Sequence, residues 1–198
     1  GQELVFNLSG QSGAARSVED PLTDLDVNYR GHLIVLEAVR QVSPAAKVVF
    51  ASSRLHYGHQ ATLPVPEDAR PDPLSFHAIH KSAAEDAMRV YARLFGLRTA
   101  VARITNPYGP GQPRERTAYG VINRLVHLAV GGDVLAIYGT GAQLRDYVHV
   151  SDVVAALMAM GESSSSDGRI YNVGSGTGTA LVDAARAIVA IAGGGRIE

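Results

Sequence analysis

The sequence contains no cysteine, which excludes disulfides, thiolate-bound metals and a cysteine nucleophile. This absence is consistent with a reducing compartment, so we expect a cytoplasmic location. No apolar run reaches the length of a membrane span, and residues 1–6 lack the basic segment and long apolar stretch of a signal peptide. The net charge is −1, so there is no basic footprint for nucleic acid or an anionic membrane. We therefore expect neither as a partner.

What is present is an ordinary globular composition, with 46% hydrophobic and 19% charged residues in 198, enough for a real core. Apolar, β-rich runs alternate with helical patterns. Predicted strands cover 4–8, 47–52, 98–104, 134–138 and 170–173, and predicted helices 20–42, 75–95, 117–130, 151–160 and 180–192. This alternation predicts a doubly wound α/β fold, with a parallel sheet and helices on both faces. Such sheets bind ligands beyond the carboxyl ends of their strands, which here lead into the loops at 9–18, 52–58 and 105–111.

Five segments resemble, in the same order, motifs of the extended short-chain dehydrogenases/reductases, the NAD-dependent epimerase/dehydratase family. They are VFNLSGQ (5–11), VNYRGHLIVLEA (27–38), VVFASSRLHYG (48–58), RITNPYGPGQ (103–112) and GTGAQLRDYVHVSDVVAA (139–156). One such motif is weak, but five in register across most of the chain are specific. The resemblance implies a partial Rossmann-like cofactor domain in residues 1–104. In residues 105–198 it implies the remaining Rossmann elements, interleaved with part of a nucleotide-sugar-binding subdomain.

The resemblance also implies three catalytic positions, and one of them is altered. Ser53 stands where the family has its catalytic Ser or Thr, and Lys81 ends PLSFHAIHK at the position of the catalytic Lys. Four residues before Lys81 the family has Tyr, but this chain has His77, and no Tyr in it has Lys four residues on. A nearby Lys lowers the pKa of an imidazole, so neutral His77 accepts a proton better than it supplies one. Its ring nitrogen stops roughly 2 Å short of a phenol oxygen, and misplacement by about 1 Å costs around 10²-fold in rate.

The resemblance further implies NAD or NADP as the cofactor and a nucleotide sugar as the substrate. The cofactor positions are Leu8, Ser9, Gly10, Asn28, Ser52, Lys81 and Ile104, with Asn28 expected to tie down the cofactor loop. The resemblance implies that Asn106 and Arg145 bind the diphosphate of the substrate, because their N–H groups can donate hydrogen bonds to phosphate oxygens.

One family feature is missing from the sequence. The family's first βαβ unit carries a Gly-x-x-Gly-x-x-Gly turn that approaches the pyrophosphate, and nothing here matches it. We therefore expect a sheet without that N-terminal unit and weakened cofactor binding. Such a sheet exposes an edge strand, and we hypothesise a homodimer that covers it.

Two functions from different classes follow. The first is an NAD(P)-dependent nucleotide-sugar epimerase or reductase with hydride transfer through Ser53, His77 and Lys81. Arg54 and Leu55 stand where the dehydratases carry Asp-Glu, which disfavours a dehydratase. The second is a catalytically inactive or truncated relative that acts as a binding or regulatory module.

Histidines raise one further alternative. His56, His59, His77 and His80 form two His-x-x-His pairs, and four imidazoles can hold Zn²⁺ or Ni²⁺. Polar loop and helix residues explain the pairs more simply, so we predict no metal.

Overall fold

The computed structural model describes residues 2–60, 62–112 and 120–198. Seven α-helices lie in this part of the chain: α1 (Ala14–Glu19), α2 (Pro21–Leu25), α3 (Gly31–Val42), α4 (Phe76–Phe95), α5 (Val121–Gly131), α6 (Val150–Glu162) and α7 (Leu181–Ala192). The strands described are β1 (Leu4–Asn7), β2 (Lys47–Ser53), β3 (Arg98–Ile104), β4 (Asn106–Tyr108), β5 (Val134–Leu135), β6 (Leu144–His149), β7 (Arg169–Val173), β8 (Gly178–Ala180) and β9 (Arg196–Ile197).

Two compact units make up the described chain. The first contains residues 1–104 and 154–173, and the second contains residues 105–153 and 174–198. The functional roles predicted for residues 1–104 and 105–198 are not decided by this division and stay predictions.

The first unit is built on a parallel four-stranded sheet in the order β1-β2-β3-β7. Val48 and Phe50 of β2 pack with Leu36 of α3 and Met88 of α4 on one face. On the opposite face the backbone of α6 runs so close to β1 that a Cβ at Gly161 would lie 2.8 Å from Leu4. Helices therefore cover both faces, and the predicted doubly wound, Rossmann-like α/β fold is confirmed.

The second unit has its own smaller sheet and core. Strand β6 pairs in parallel with β4 and antiparallel with β8. Strand β5 pairs with β9, and Leu125, Ala129, Leu135 and Ala185 form a core between α5 and α7. Strand β6 was not predicted, because both its partners are three-residue strands from distant parts of the sequence, and no local pattern marks them.

The predicted helix over residues 20–42 is continuous in direction but contains a π-helical turn, Asp26–Arg30. One extra residue in that turn rotates everything after it by about 100°. The sequence pattern predicts an apolar face of Val27, Ile34, Val35, Ala38 and Val39 for this helix. The structure contradicts part of that face: Val39 is buried, but Ile34 is 60% exposed and the buried side carries His32.

Other predicted boundaries also differ. The loop predicted at 9–18 contains most of α1, and α6 begins at Val150, one residue before its predicted start, and continues to Glu162. The strand predicted at 134–138 is only two residues long, and residues 117–119 of the helix predicted at 117–130 lie outside the described residues. Across the described residues, the helices are all too short or too polar to span a bilayer.

Candidate functional site

Three neighbouring parallel strands run toward the same edge of the sheet and end at Asn7, Ser53 and Ile104, with β1 ending three residues before β2. Ser53 is the register partner of Ile104, and Asn7 is the partner of Phe50. The loops that follow all leave the same edge of the sheet, as expected for parallel strands. The predicted cofactor and catalytic residues of the first unit are therefore gathered at one edge.

Two stripes of buried polar side chains line this region. The first stripe is Asp24, Asn28 and His32, and the second stripe is His77, Lys81 and Glu85. Each member stands four residues after the last, and none is more than 7% exposed. Side chains four apart share a helix face, and the stripes meet: Asn28 Nδ2 lies 3.3 Å from His77 Nδ1, and His32 Nε2 lies 3.5 Å from Lys81 Nζ.

Lys81 occupies the centre of the second stripe. Its Nζ donates to the carbonyl of Ser9 (3.4 Å) in the loop after β1 and to the carbonyl of Ala51 (3.3 Å) in β2. The ammonium also lies 4.8 Å from the ring centre of Phe50. Burial lowers the pKa of Lys81 to about 8, because a charge is hard to desolvate. Burial, with Lys81 nearby, lowers the pKa of His32 to about 4.

The buried Lys81 makes stability depend on pH in a predictable direction. In the unfolded chain the lysine keeps its proton up to an ordinary pKa of 10.5, but in the folded protein it releases the proton above a pKa of about 8. The unfolded state thus binds more protons between these values, so the contribution of Lys81 to stability rises with pH across this window. We expect the free energy of unfolding of wild type minus that of Lys81→Met to increase by up to about 3 kcal/mol between pH 8 and 10.5. Urea titrations of both proteins at several pH values measure this, and a flat or falling difference would contradict it.

Asn28 fastens the loop after β1. Its Oδ1 accepts from the backbone N–H of Gln11 (3.2 Å) and its Nδ2 donates to the carbonyl of Gln11 (2.9 Å). The adjoining Gly10 has φ +147°, and a Cβ there would lie 2.7 Å from Asn28 Oδ1 and 2.9 Å from Lys81 Nζ. A glycine is therefore required by both its backbone and its neighbours. Leu8 is 59% exposed on the same loop.

Ser53 and Ser52 have different surroundings at the end of β2. Ser53 Oγ accepts from the backbone N–H of Leu55 (3.2 Å) and caps the 3₁₀ turn Arg54–Tyr57. A hydroxyl has one donor and two acceptor sites, so this contact does not use its proton. Ser52 instead donates through a short hydrogen bond to Glu85 Oε1, inside the unit.

Glu85 and Arg103 form a buried ion pair. Arg103 donates to both carboxylate oxygens of Glu85, with a closest contact of 2.7 Å. Arg103 Nη1 donates to the hydroxyl of Tyr57 (2.8 Å), which donates to Asn172 Oδ1 (2.6 Å). These hydrogen bonds connect α4 to β3, to the 3₁₀ turn Arg54–Tyr57 and to β7.

His77, which the sequence predicts at the position of the family's Tyr, begins the second stripe. Its Nδ1 lies 3.7 Å from Asp24 Oδ2. Burial, followed by the positive charge of Lys81, lowers the pKa of His77. The ring is therefore neutral near pH 7.

The histidine pairs of the sequence contact different side chains. His80 Nδ1 contacts Asp24 Oδ1 (2.7 Å), whereas His56 Nδ1 contacts Ser82 Oγ (2.7 Å). Residues 2–60, 62–112 and 120–198 contain no group of three or more His, Asp or Glu side chains placed so that they could hold a metal ion.

Asn106 and Arg145 lie on adjacent strands of the second unit. Asn106 Nδ2 donates to the carbonyl of Asp146 (2.8 Å), and Arg145 Nη1 donates to the carbonyl of Leu144 (2.8 Å). Asp146 accepts from the backbone N–H groups of Ser175 (2.7 Å) and Gly176 (3.0 Å) and so holds the glycine-rich loop there. Whether Asn106 and Arg145 bind a diphosphate stays a prediction.

The sequence reasoning missed four residues of the polar network: Asp24, His32, Glu85 and Arg103. The sequence did contain a signal for Asp24, His32 and Glu85. Asp24 and His32 each stand four residues from Asn28, and Glu85 stands four residues after Lys81, so each pair shares a helix face. Arg103 carried no such signal, since its partner is close only in the folded sheet.

Comparison with known proteins gives a consistent result. A sequence model of the NAD dependent epimerase/dehydratase family matches residues 1–174. The chain is 35% identical over 181 residues to a putative UDP-glucose 4-epimerase of Methanocaldococcus jannaschii, covering 90% of this chain and 57% of that protein. It is 33% identical over 191 residues to the UDP-glucose 4-epimerase of Mycolicibacterium smegmatis, covering 96% of this chain and 60% of the other.

Solved structures agree with the sequence relatives. The UDP-glucose 4-epimerase of Thermotoga maritima with UDP-glucose superposes with a TM-score of 0.92 at 32% identity, over 99% of this chain and 64% of that one. The Thermus thermophilus UDP-glucose 4-epimerase in complex with NAD gives 0.89 at 32% identity, over 99% and 64%. This chain spans about three fifths of the length of the relatives it matches.

Proposed function

Because the chain belongs to the NAD-dependent epimerase/dehydratase family, we propose that it is the catalytic part of an NAD(P)-dependent nucleotide-sugar epimerase or reductase. The single observation that carries the proposal is the placement of Lys81. It is a buried lysine with a lowered pKa that joins the loop after β1 to the strand that delivers Ser53. No packing requirement explains an ammonium here, since burying it is costly. A cofactor that needs a cation beside its ribose supplies a reason.

The loop after β1 fits a nicotinamide dinucleotide. Gly10 lets the loop backbone lie closer to Asn28 and Lys81 than any side chain would permit, and Gln11 Nε2 is buried without a hydrogen-bond partner among the residues that the structure describes. Leu8, Ser9 and Gly10 belong to this loop, which Asn28 orders through its hydrogen bonds to Gln11. Ser52 is the last but one residue of β2, and Ile104 is the last residue of β3. When bound, the cofactor supplies the hydride acceptor. Lys81 then holds its ribose and lowers the proton affinity of nearby groups.

The residues of this chain would perform the proton chemistry. Ser53 keeps its hydroxyl proton for a hydrogen bond to the reacting sugar oxygen, and His77 accepts the proton that this oxygen loses. Asn106 and Arg145 are proposed to bind the diphosphate of the nucleotide sugar. Relatives named UDP-glucose 4-epimerase make a UDP-hexose the first substrate to test.

The experiment uses the product of the whole reading frame that carries this sequence. We expect calorimetric titration to show binding of NAD⁺ or NADP⁺, and chromatography to show conversion of UDP-glucose to an isomer or a reduced product. Ser53→Ala should lower turnover by about 10²-fold or more, because one transition-state hydrogen bond is lost. Ser151→Ala, an exposed serine of the second unit, is the matched control and should leave turnover unchanged.

The second candidate is a binding or regulatory module without turnover, and it is favoured by His77. If the protein binds no NAD(P) at millimolar concentration and converts no UDP-sugar, the second candidate is established instead. A cytoplasmic location, a homodimer and the absence of nucleic-acid partners stay predictions.

A further inference from the structure

Asp24 is a buried carboxylate for which the family resemblance supplies no role. It has no exposed surface, and such a group must be paired or hydrogen-bonded to remain charged. Its Oδ1 lies 2.7 Å from His80 Nδ1, its Oδ2 accepts from Asn28 Nδ2 (2.9 Å), and the same Oδ2 lies 3.7 Å from His77 Nδ1. All of these partners are polar side chains of the two stripes or the helix that carries the second stripe.

The hydrogens available at Asn28 limit what His77 can receive. Asn28 Oδ1 accepts from the Gln11 N–H, which directs Nδ2 toward the second stripe. Nδ2 has two hydrogens, and two acceptors lie at 2.9 Å: the Gln11 carbonyl and Asp24 Oδ2. His77 Nδ1, at 3.3 Å, is the third and most distant neighbour. Asn28 therefore has no hydrogen left for it.

His77 Nδ1 must then carry its own hydrogen. The acceptors beside it are Asp24 and the Gln11 carbonyl, and the nearest positive charge is Lys81 on its own helix. Burial and Lys81 lower the pKa of His77, while Asp24 and Gln11 act in the opposite direction. An imidazole protonated on Nδ1 has its lone pair on Nε2.

We propose that Asp24 is a positioning residue that holds His77 as the Nδ1-protonated tautomer and thereby makes Nε2 the proton acceptor. The catalytic meaning of this rests on the proposed function. There, Nε2 would accept the proton of the reacting sugar hydroxyl, and a bound nicotinamide would supply the acceptor for the hydride from the same carbon. In the reverse direction Nε2 would return the proton. The carboxylate of Asp24 stabilises the imidazolium that forms between the two steps, so that His77 supplies a proton as well as accepting one.

The test is a direct measurement of the tautomer, which needs neither cofactor nor turnover. Long-range ¹H–¹⁵N spectra of the ¹⁵N-labelled protein at pH 8 report which ring nitrogen of each histidine carries the proton, and His77→Asn assigns the His77 signals. We expect His77 to be protonated on Nδ1 in wild type, and exposed His59 to show the mixture of a free imidazole. In Asp24→Asn we expect His77 to shift toward the Nε2-protonated form.

Asp26→Asn is the matched control, because Asp26 lies on the same segment but is 61% exposed beside Arg30, and it should leave His77 unchanged. An Nε2-protonated His77 in wild type overturns the proposal without any variant, even where Asp24→Asn fails to fold. A folded Asp24→Asn protein with His77 still protonated on Nδ1 overturns it as well. Neither outcome depends on cofactor binding or on conversion of UDP-glucose. Failure of the proposal for Asp24 can therefore be distinguished from failure of the proposed function.

Discussion

His77→Tyr is expected to raise the turnover of a UDP-sugar by about 10²-fold, because a phenol oxygen reaches about 2 Å further than an imidazole nitrogen and misplacement of that order is costly. The phenol would stand on α4 one turn before Lys81, whose positive charge lowers the pKa of a neighbouring hydroxyl. His77→Ala is expected to lower turnover by about 10²- to 10⁴-fold, the range for loss of a general base. The proteins are expressed from the whole reading frame. Chromatography of UDP-glucose and its reaction products then measures the turnover of wild type, His77→Tyr and His77→Ala.

The control for His77→Tyr is Phe76→Tyr, which adds the same phenol one residue earlier, where the side chain is 43% exposed. The site of His77 is only 5% exposed, so the larger ring costs stability, typically about 1–3 kcal/mol for overpacking. Thermal unfolding and NAD⁺ titration establish that the variant is folded and binds cofactor. A folded, binding-competent His77→Tyr protein that turns over no faster than wild type would show that this position does not limit the reaction. Turnover unchanged by His77→Ala would remove His77 from the mechanism.

Glu85→Ala is expected to produce the largest loss of stability, about 3–5 kcal/mol, because it leaves a buried cation without its partner. Glu85 and Arg103 are only 2% and 4% exposed, so the guanidinium is left buried without a counter-charge once the carboxylate is gone. The same substitution also removes the acceptor of Ser52 Oγ, and an unpaired buried hydroxyl adds to the cost. Urea unfolding at pH 7 measures the difference in free energy.

Asp86→Ala is the matched control, since Asp86 is the next residue of α4 and pairs with Arg89 on the surface. We expect it to change the free energy of unfolding by less than about 1 kcal/mol. Replacing both Glu85 and Arg103 by Met should cost less than Glu85→Ala alone, because no charge is left buried. Equal losses for Glu85→Ala and Asp86→Ala would show that the buried pair is not a major source of stability.

Much of the fold could be predicted because its signals are local. Strand β3 was predicted at its observed bounds, and Ser75, Phe95 and Gly96 mark the ends of α4 as N-cap, last helical residue and left-handed C-cap. These features depend on residues within one turn of each other. Strand β6 and the phase of α3 depend on distant partners and on one π-helical turn, and neither was predicted.

The candidate site divides in the same way. Ser53, His77 and Lys81 were identified from motif spacing alone, and their positions at the carboxyl edge of the sheet follow from the order of strands and helices. The residues that surround them were not identified. Asp24, His32 and Glu85 share a helix-face spacing with Asn28 or Lys81, but that spacing does not show that they are buried against one another. Arg103 has no local signal at all.

By itself, then, the sequence determined the family and the parallel α/β fold, and it predicts that His77 stands in place of the family's Tyr. These depend on residue identity and on spacing along the chain. The tertiary structure alone decided that two helical stripes of polar side chains face each other at a few ångströms. Burial there lowers the pKa of Lys81 to about 8 and leaves Asp24 as the only carboxylate among the described contacts of His77 Nδ1. Desolvation and hydrogen-bond geometry act through space between segments some fifty residues apart, and no pattern along the chain encodes those distances.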